Sequence, residues 1–88
     1  MMKNLTNLPN IGKILAGKLN QAGITTEQQL METGSENAIV RIASLKDGEV
    51  CIDMLYALEG AIQGIRWHGL SQERKQELKD FYRSTFKK

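Results

Sequence analysis

A nucleophile, an acid–base pair, a metal cluster and a phosphate cradle each need particular residue types at particular spacings. This chain holds few of them. It has one cysteine, Cys51, and one histidine, His68. One of each falls short of a structural zinc centre, which takes four protein ligands. Cys51 opens the apolar stretch "CIDMLYAL" and reads as a buried, inert thiol rather than half of a Cys–His nucleophile pair. Glu59 lies in the same apolar surroundings and needs a partner. A structural hydrogen bond to a turn N–H or to Arg66 is expected, since no second group for general acid–base work stands near it in sequence. No P-loop or dinucleotide fingerprint occurs. No catalytic residue, cofactor, metal or small-molecule substrate is therefore expected, and the chain reads as no enzyme.

The stretch that does suggest chemistry is "LPNIGKILAGKLNQAGI", residues 8–24. Pro9 cannot donate a backbone hydrogen bond and turns Leu8 away from helix. Asn10 is the non-glycine residue most at ease with positive φ. Gly12 removes the side chain where the turn enters a helix, so that another backbone can come close. The first N–H groups of that helix have no internal partner and, with the helix dipole, suit an anion. Lys13 opposes the dipole in isolation, at a cost of about 0.3–1 kcal/mol, and a phosphate outside the chain would reverse that sign. Lys18 could reach a neighbouring phosphate. Asn10, Ile11, Gly12, Lys13 and Lys18 thus form a candidate DNA-phosphate site. A tight turn that only packs two helices fits the same residues.

Two weaker features lie near the other end. Lys75, Lys79 and Arg83, each four apart, form a basic stripe that is either a second phosphate track or a solvated face with Glu73, Glu77 and Asp80 pairing locally. "IRWHG" either exposes Arg66, Trp67 and His68 or buries Trp67 between the last two helices, the arrangement expected.

The elements that must hold these residues read as helices throughout, for no segment alternates with period two between turn residues. Five are expected: 12–22, 26–32, 36–45, 50–63 and 72–86. Thr25 caps the second with Gln28 in a capping box, Ser35 the third and Ser71 the fifth. Gly23 supplies a left-handed residue after the first. Gly17, inside that helix, costs about 1 kcal/mol against alanine, and close packing is expected to offset it. The fourth helix is apolar around most of its circumference and should be central, with Asp53, Gly60 and Gln63 as a narrow polar strip. Leu78, Phe81, Tyr82 and Thr85 should face inward from the fifth. Leu15, Leu19, Ile24, Leu30, Ile42, Leu55, Leu58, Ile62, Trp67 and Phe81 should make much of the core. The first six and last two residues are expected to fray.

With 88 residues, 41% of them hydrophobic and 25% charged, the chain suits one folded domain, 1–88 with a core of about 5–86. Net charge is +2 but unevenly placed: +3 over 1–23, −5 over 24–63 and +4 over 64–88. The lone cysteine rules out a disulfide within the chain. No signal peptide or apolar run of spanning length is evident, so a cytoplasmic, membrane-free protein is expected.

Leu8, Ile11–Gly12, Ala16, Leu19 and Gly23–Ile24 resemble a helix-hairpin-helix, a motif of many DNA-repair proteins that grips duplex phosphates through backbone N–H groups. Asn10 stands where the usual hairpin has its first glycine. More widely, "LPNIG", "AGI" and "LYALEGAIQGIRWHGL" resemble the C-terminal domain of the TfoX (Sxy) competence-regulator family over roughly residues 5–80. The resemblance implies an all-α, compact helix-hairpin-helix or SAM-like fold and a bacterial transcription-regulatory role in competence. In that family the domain occurs behind an α/β domain or alone, and the standalone form is the one expected for this chain. The partner expected is double-stranded DNA; the alternative is a regulatory protein or a second copy, with no direct DNA contact.

Overall fold

The computed structural model describes residues 5–46 and 48–86. Five α-helices follow one another: α1 Lys13–Gln21, α2 Glu27–Thr33, α3 Ser35–Ala43, α4 Ile52–Gln63 and α5 Gln72–Phe86. Two 3-10 turns, Leu5–Asn7 and Trp67–Gly69, precede α1 and α5. Among the described residues there is no strand.

Each helix end has a local cause. Gly23 at φ +88° closes α1, with Ile24 N–H donating to Leu19 O and Gly23 N–H to Asn20 O, the paired bonds of a Schellman motif. Gly64 at φ +76° closes α4 in the same way through Gly60 O and Ala61 O. At the start of α2 the capping box lies one residue later than expected. Thr26, not Thr25, is the N-cap and accepts from Gln29 N–H, while Gln29 Oε1 accepts from Thr25 N–H. Ser71 caps α5 as expected, accepting from Arg74 N–H. Ser35 does not cap α3. It is the first helical residue, Gly34 is the cap, and the Ser35 hydroxyl points into the core.

α4 is the hub. It packs on α3, on the Trp67–Gly69 turn and on α5, while α3 also receives α1 and α2. Leu19, Ile24, Leu30, Ile39, Ile42, Leu55, Leu58 and Leu78 are fully buried where these helices meet. Leu15, Ile62, Trp67 and Phe81, expected in the core, are half-buried against it. Thr85 is exposed; the inner side of α5 is completed by Phe86 and by Tyr82, whose hydroxyl donates to Val50 O.

Leu5 is 1% exposed, so the chain is anchored before residue 6, earlier than the expected fraying; residues 1–4 and 87–88, also expected to fray, lie outside the described residues. The element ahead of the hairpin is thus a 3-10 turn among the described residues rather than a full helix.

A methyl added at Gly17 would meet nothing within 4 Å, so the expected close packing is absent. Nothing in the structure explains this glycine. Gly17→Ala is expected to stabilise the domain by about 0.8 kcal/mol, read as a melting temperature several degrees higher. A lower melting temperature would mean that this face of α1 is covered.

Candidate functional site

The hairpin 8–12 is held from both sides. Leu8 N–H donates to Leu5 O, and Ile11 N–H makes a long 3.4 Å bond to Leu8 O. The Ile11 side chain is buried. Asn10 takes φ +70°, the positive value its residue type allows, and is the one non-glycine residue to do so among those described.

The half-buried Asn10 turns its side chain toward the segment after α4. Its Nδ2 donates to Ile65 O at 2.9 Å and its Oδ1 accepts from Trp67 N–H at 3.2 Å. One carboxamide thereby clamps the turn that follows α4, across 55 residues of sequence. The close approach is made possible by Gly60. That residue is buried beneath the hairpin rather than part of a polar strip, and a Cβ there would lie 2.5 Å from Asn10 Nδ2 and 2.8 Å from Ile65 O. A glycine inside an otherwise strong helix was the signal that could have revealed this contact from sequence.

Beyond Asn10 the hairpin is open. Gly12 is the N-cap of α1 and supplies no side-chain cap. The N–H groups of Gly12, Lys13, Ile14 and Leu15 have no acceptor among the described residues. No acid stands in the first turn of α1. Lys13 is exposed, Lys18 half-buried, and neither makes an ion pair among the described residues. Ile14, between them, is 79% exposed.

The clamped turn carries an aromatic stack. Trp67 lies against Tyr56, with ring centroids 6.0 Å apart and nearly parallel, and against His68 at 3.9 Å. Trp67 is half-buried in this stack instead of plugging the core. Lys75 Nζ sits 5.6 Å from the Trp67 ring centroid, within cation–π range. Arg66 and His68 are exposed. Lys79 and Arg83 are exposed on α5; of the acids expected to pair with that stripe, Glu77 pairs with Arg74, Asp80 accepts from Gln76, and Glu73 makes no ion pair among the described residues.

Glu59 finds other partners than those expected. Burial acts most strongly on its carboxyl and pushes the pKa up. Hydrogen bonds from Arg74, Ser35 and Gln63, with the charge of Arg74, together outweigh that and hold it below its ordinary value. Arg74 Nη2 lies 3.1 Å from Glu59 Oε1, Ser35 Oγ 2.7 Å from Oε1, and Gln63 Nε2 2.7 Å from Oε2. Arg66 takes no part. The knot ties α3, α4 and α5 together, with two donors on Glu59 Oε1 and one on Oε2. Cys51, expected to be buried, is exposed just ahead of α4. No group of three or more metal-ligating side chains occurs among the described residues, and none of their helices is long and apolar enough to cross a membrane.

An all-helical domain with a clamped hairpin at the open start of α1 is the class these features define. The chain belongs to the TfoX C-terminal domain family, whose model matches residues 1–82. It is 26% identical over 76 residues to the DNA transformation protein TfoX1 of Aliivibrio fischeri, a match spanning 86% of this chain but only 36% of that protein. Two crystal structures from Listeria monocytogenes share the fold at 54% identity. One, of an uncharacterized protein in a triclinic form, has a TM-score of 0.89 and covers 93% of this chain and 92% of its own. The other, of a protein of unknown function in a tetragonal form, has a TM-score of 0.88 over 92% and 98%.

Proposed function

We propose that this domain is a small non-enzymatic regulatory module whose hairpin holds the backbone of duplex DNA, weakly and without reading sequence. The observation that carries this reading is the open start of α1. Four N–H donors there have no acceptor among the described residues, the first turn of α1 holds no acid, and Lys13 is exposed beside them. A phosphate at that point would satisfy the donors and turn the unfavourable lysine–dipole contact into a favourable one.

Gly12 adds support. Its φ of −95° and ψ of −174° suit any residue, and an added methyl would meet nothing within 4 Å. Neither backbone nor internal packing asks for glycine here, whereas an approaching phosphate would. The Aliivibrio relative, of which this chain matches about a third, is named for DNA transformation. Contacts confined to phosphate position a protein without specifying sequence, and a few cations give weak, strongly salt-dependent affinity.

Ile14 favours a second reading. At 79% exposed, beside Lys13, it offers an apolar contact to a regulatory protein or to a second copy of this chain.

Fluorescence anisotropy of a labelled random duplex, at low and near-physiological salt, tests the first reading. The wild type is expected to bind with marked salt sensitivity, and Lys13→Glu/Lys18→Glu to lose binding while circular dichroism stays helical. Ile14→Ser should bind as the wild type does. Absence of wild-type binding even at low salt would remove the phosphate grip and leave the Ile14 surface as the site.

A further inference from the structure

Asn10 does more than shape its own turn. Its two hydrogen bonds fall on Ile65 and Trp67, the residues on either side of Arg66. The Arg66 backbone is therefore held against Asn10, the residue three before Lys13 in the chain. Its carbonyl is fixed as well, accepting from Gly69 N–H at 2.8 Å. Arg66 is exposed, and its guanidinium makes no ion pair among the described residues.

The next cation is held at the same turn. Lys75 stands over the Trp67 ring, and Trp67 is itself gripped by Asn10. No acid of α5 forms an ion pair with it among the described residues. Glu77 is paired with Arg74 and Asp80 with Gln76. Glu73, two residues before Lys75, projects about 200° away around the helix. Lys79 continues the face of Lys75 one turn further on.

We infer that the hairpin and the 65–68 turn form one composite DNA-backbone surface, in which Arg66 and Lys75 contact phosphates beyond the one held at α1. This rests on the phosphate-grip reading above and extends it from Lys13 to α5. Arginine suits the role, since its planar fork can take two oxygens of one phosphate. Pinning its backbone in advance reduces the ordering lost on binding. Clamping two loops together by a side chain lets residues 53 positions apart in sequence act on one ligand, and a single-hairpin grip gains the extra contacts that it lacks.

The test is the slope of log K against log salt for the random duplex. Each phosphate contact contributes about 0.9 to that slope. Arg66→Gln and Lys75→Gln are each expected to lower it by about that amount and to weaken binding alike on unrelated sequences. Arg66→Lys, which keeps the charge, should keep most of the slope. Arg41→Gln serves as the control. Arg41 lines a groove with Gly23, at the far end of α1 from the hairpin, and should bind as the wild type does. Trp67 is the chain's one tryptophan, so its emission should also shift when duplex is added. Wild-type slopes in both Arg66→Gln and Lys75→Gln, with binding still lost in Lys13→Glu/Lys18→Glu, would overturn the composite surface and leave the hairpin grip standing. No binding by the wild type at any salt would overturn both.

Discussion

Gly60→Ala is expected to destabilise the domain by about 3 kcal/mol. In an ordinary helix interior the same change would help by about 1 kcal/mol. The sign reverses here because of what the new methyl meets: Asn10 Nδ2 at 2.5 Å, Ile65 O at 2.8 Å and Trp67 Cα at 3.1 Å. Two of those atoms are backbone, fixed by the Gly64 helix end and by the Asn10 clamp. Relief would have to come from lifting the hairpin or the 65–67 turn off α4, and either movement breaks the clamp. Urea unfolding measures the cost directly. Asn10→Gly in the same chain provides the internal check. It removes the amide contact and keeps the positive φ, but both backbone contacts remain, so the double variant should stay well below Asn10→Gly alone. A stabilising Gly60→Ala would show that the hairpin does not seat on α4.

Arg74→Met is the second large effect, at about 3 kcal/mol near neutral pH. The figure comes from the lower part of the range for stranding one member of a buried ion pair. The lower part applies because the Arg74 side chain keeps 29% exposure, against 11% for Glu59. Without Arg74, Ser35 and Gln63 still donate to Glu59, but no positive charge offsets its burial. The pH dependence gives the effect a signature. In the wild type the Glu59 pKa is depressed, so its stabilisation is present above the ordinary value of 4.5 and is lost as pH falls through the lower folded value. In Arg74→Met the largest pKa-lowering contact and its charge are gone while burial remains, so the folded pKa of Glu59 rises and less stability is lost on acidification. The stability gap between the two proteins should therefore be widest near pH 7 and narrow below about pH 4.5. An equal gap at pH 7 and pH 3.5 would mean that the arginine acts through packing alone.

The tertiary structure changes how each candidate residue of the hairpin reads. Taken by itself, "LPNIG" suggests a turn whose asparagine faces whatever the glycine admits. In the fold that asparagine faces inward and is occupied, while the N–H groups and Lys13 after it are left open. The part of the proposed site that stays open among the described residues is therefore Gly12 and Lys13. Lys18 shares α1 but lies further round and is half-buried.

Sequence by itself determined the helical class, the number of helices and most of their ends. Those properties are local. Apolar spacing, a glycine able to take positive φ at residues 23 and 64, and a serine hydroxyl at residue 71 each act within a turn or two of chain. The central place of α4 was legible for a similar reason, since a helix apolar on most sides has nowhere else to go. What only the tertiary structure decided were the long-range polar pairings. Ser35 is a plausible cap on local grounds, but its hydroxyl is taken by a carboxylate 24 residues away. Glu59 needed a partner, and a turn N–H or Arg66 was the expected one. α5 swings Arg74 onto Glu59, while the Asn10 clamp holds the backbone of Arg66 at the hairpin. Hydrogen bonds depend on distance and angle to within tenths of an ångström, and those are set by how helices cross, which no short stretch of residues encodes alone.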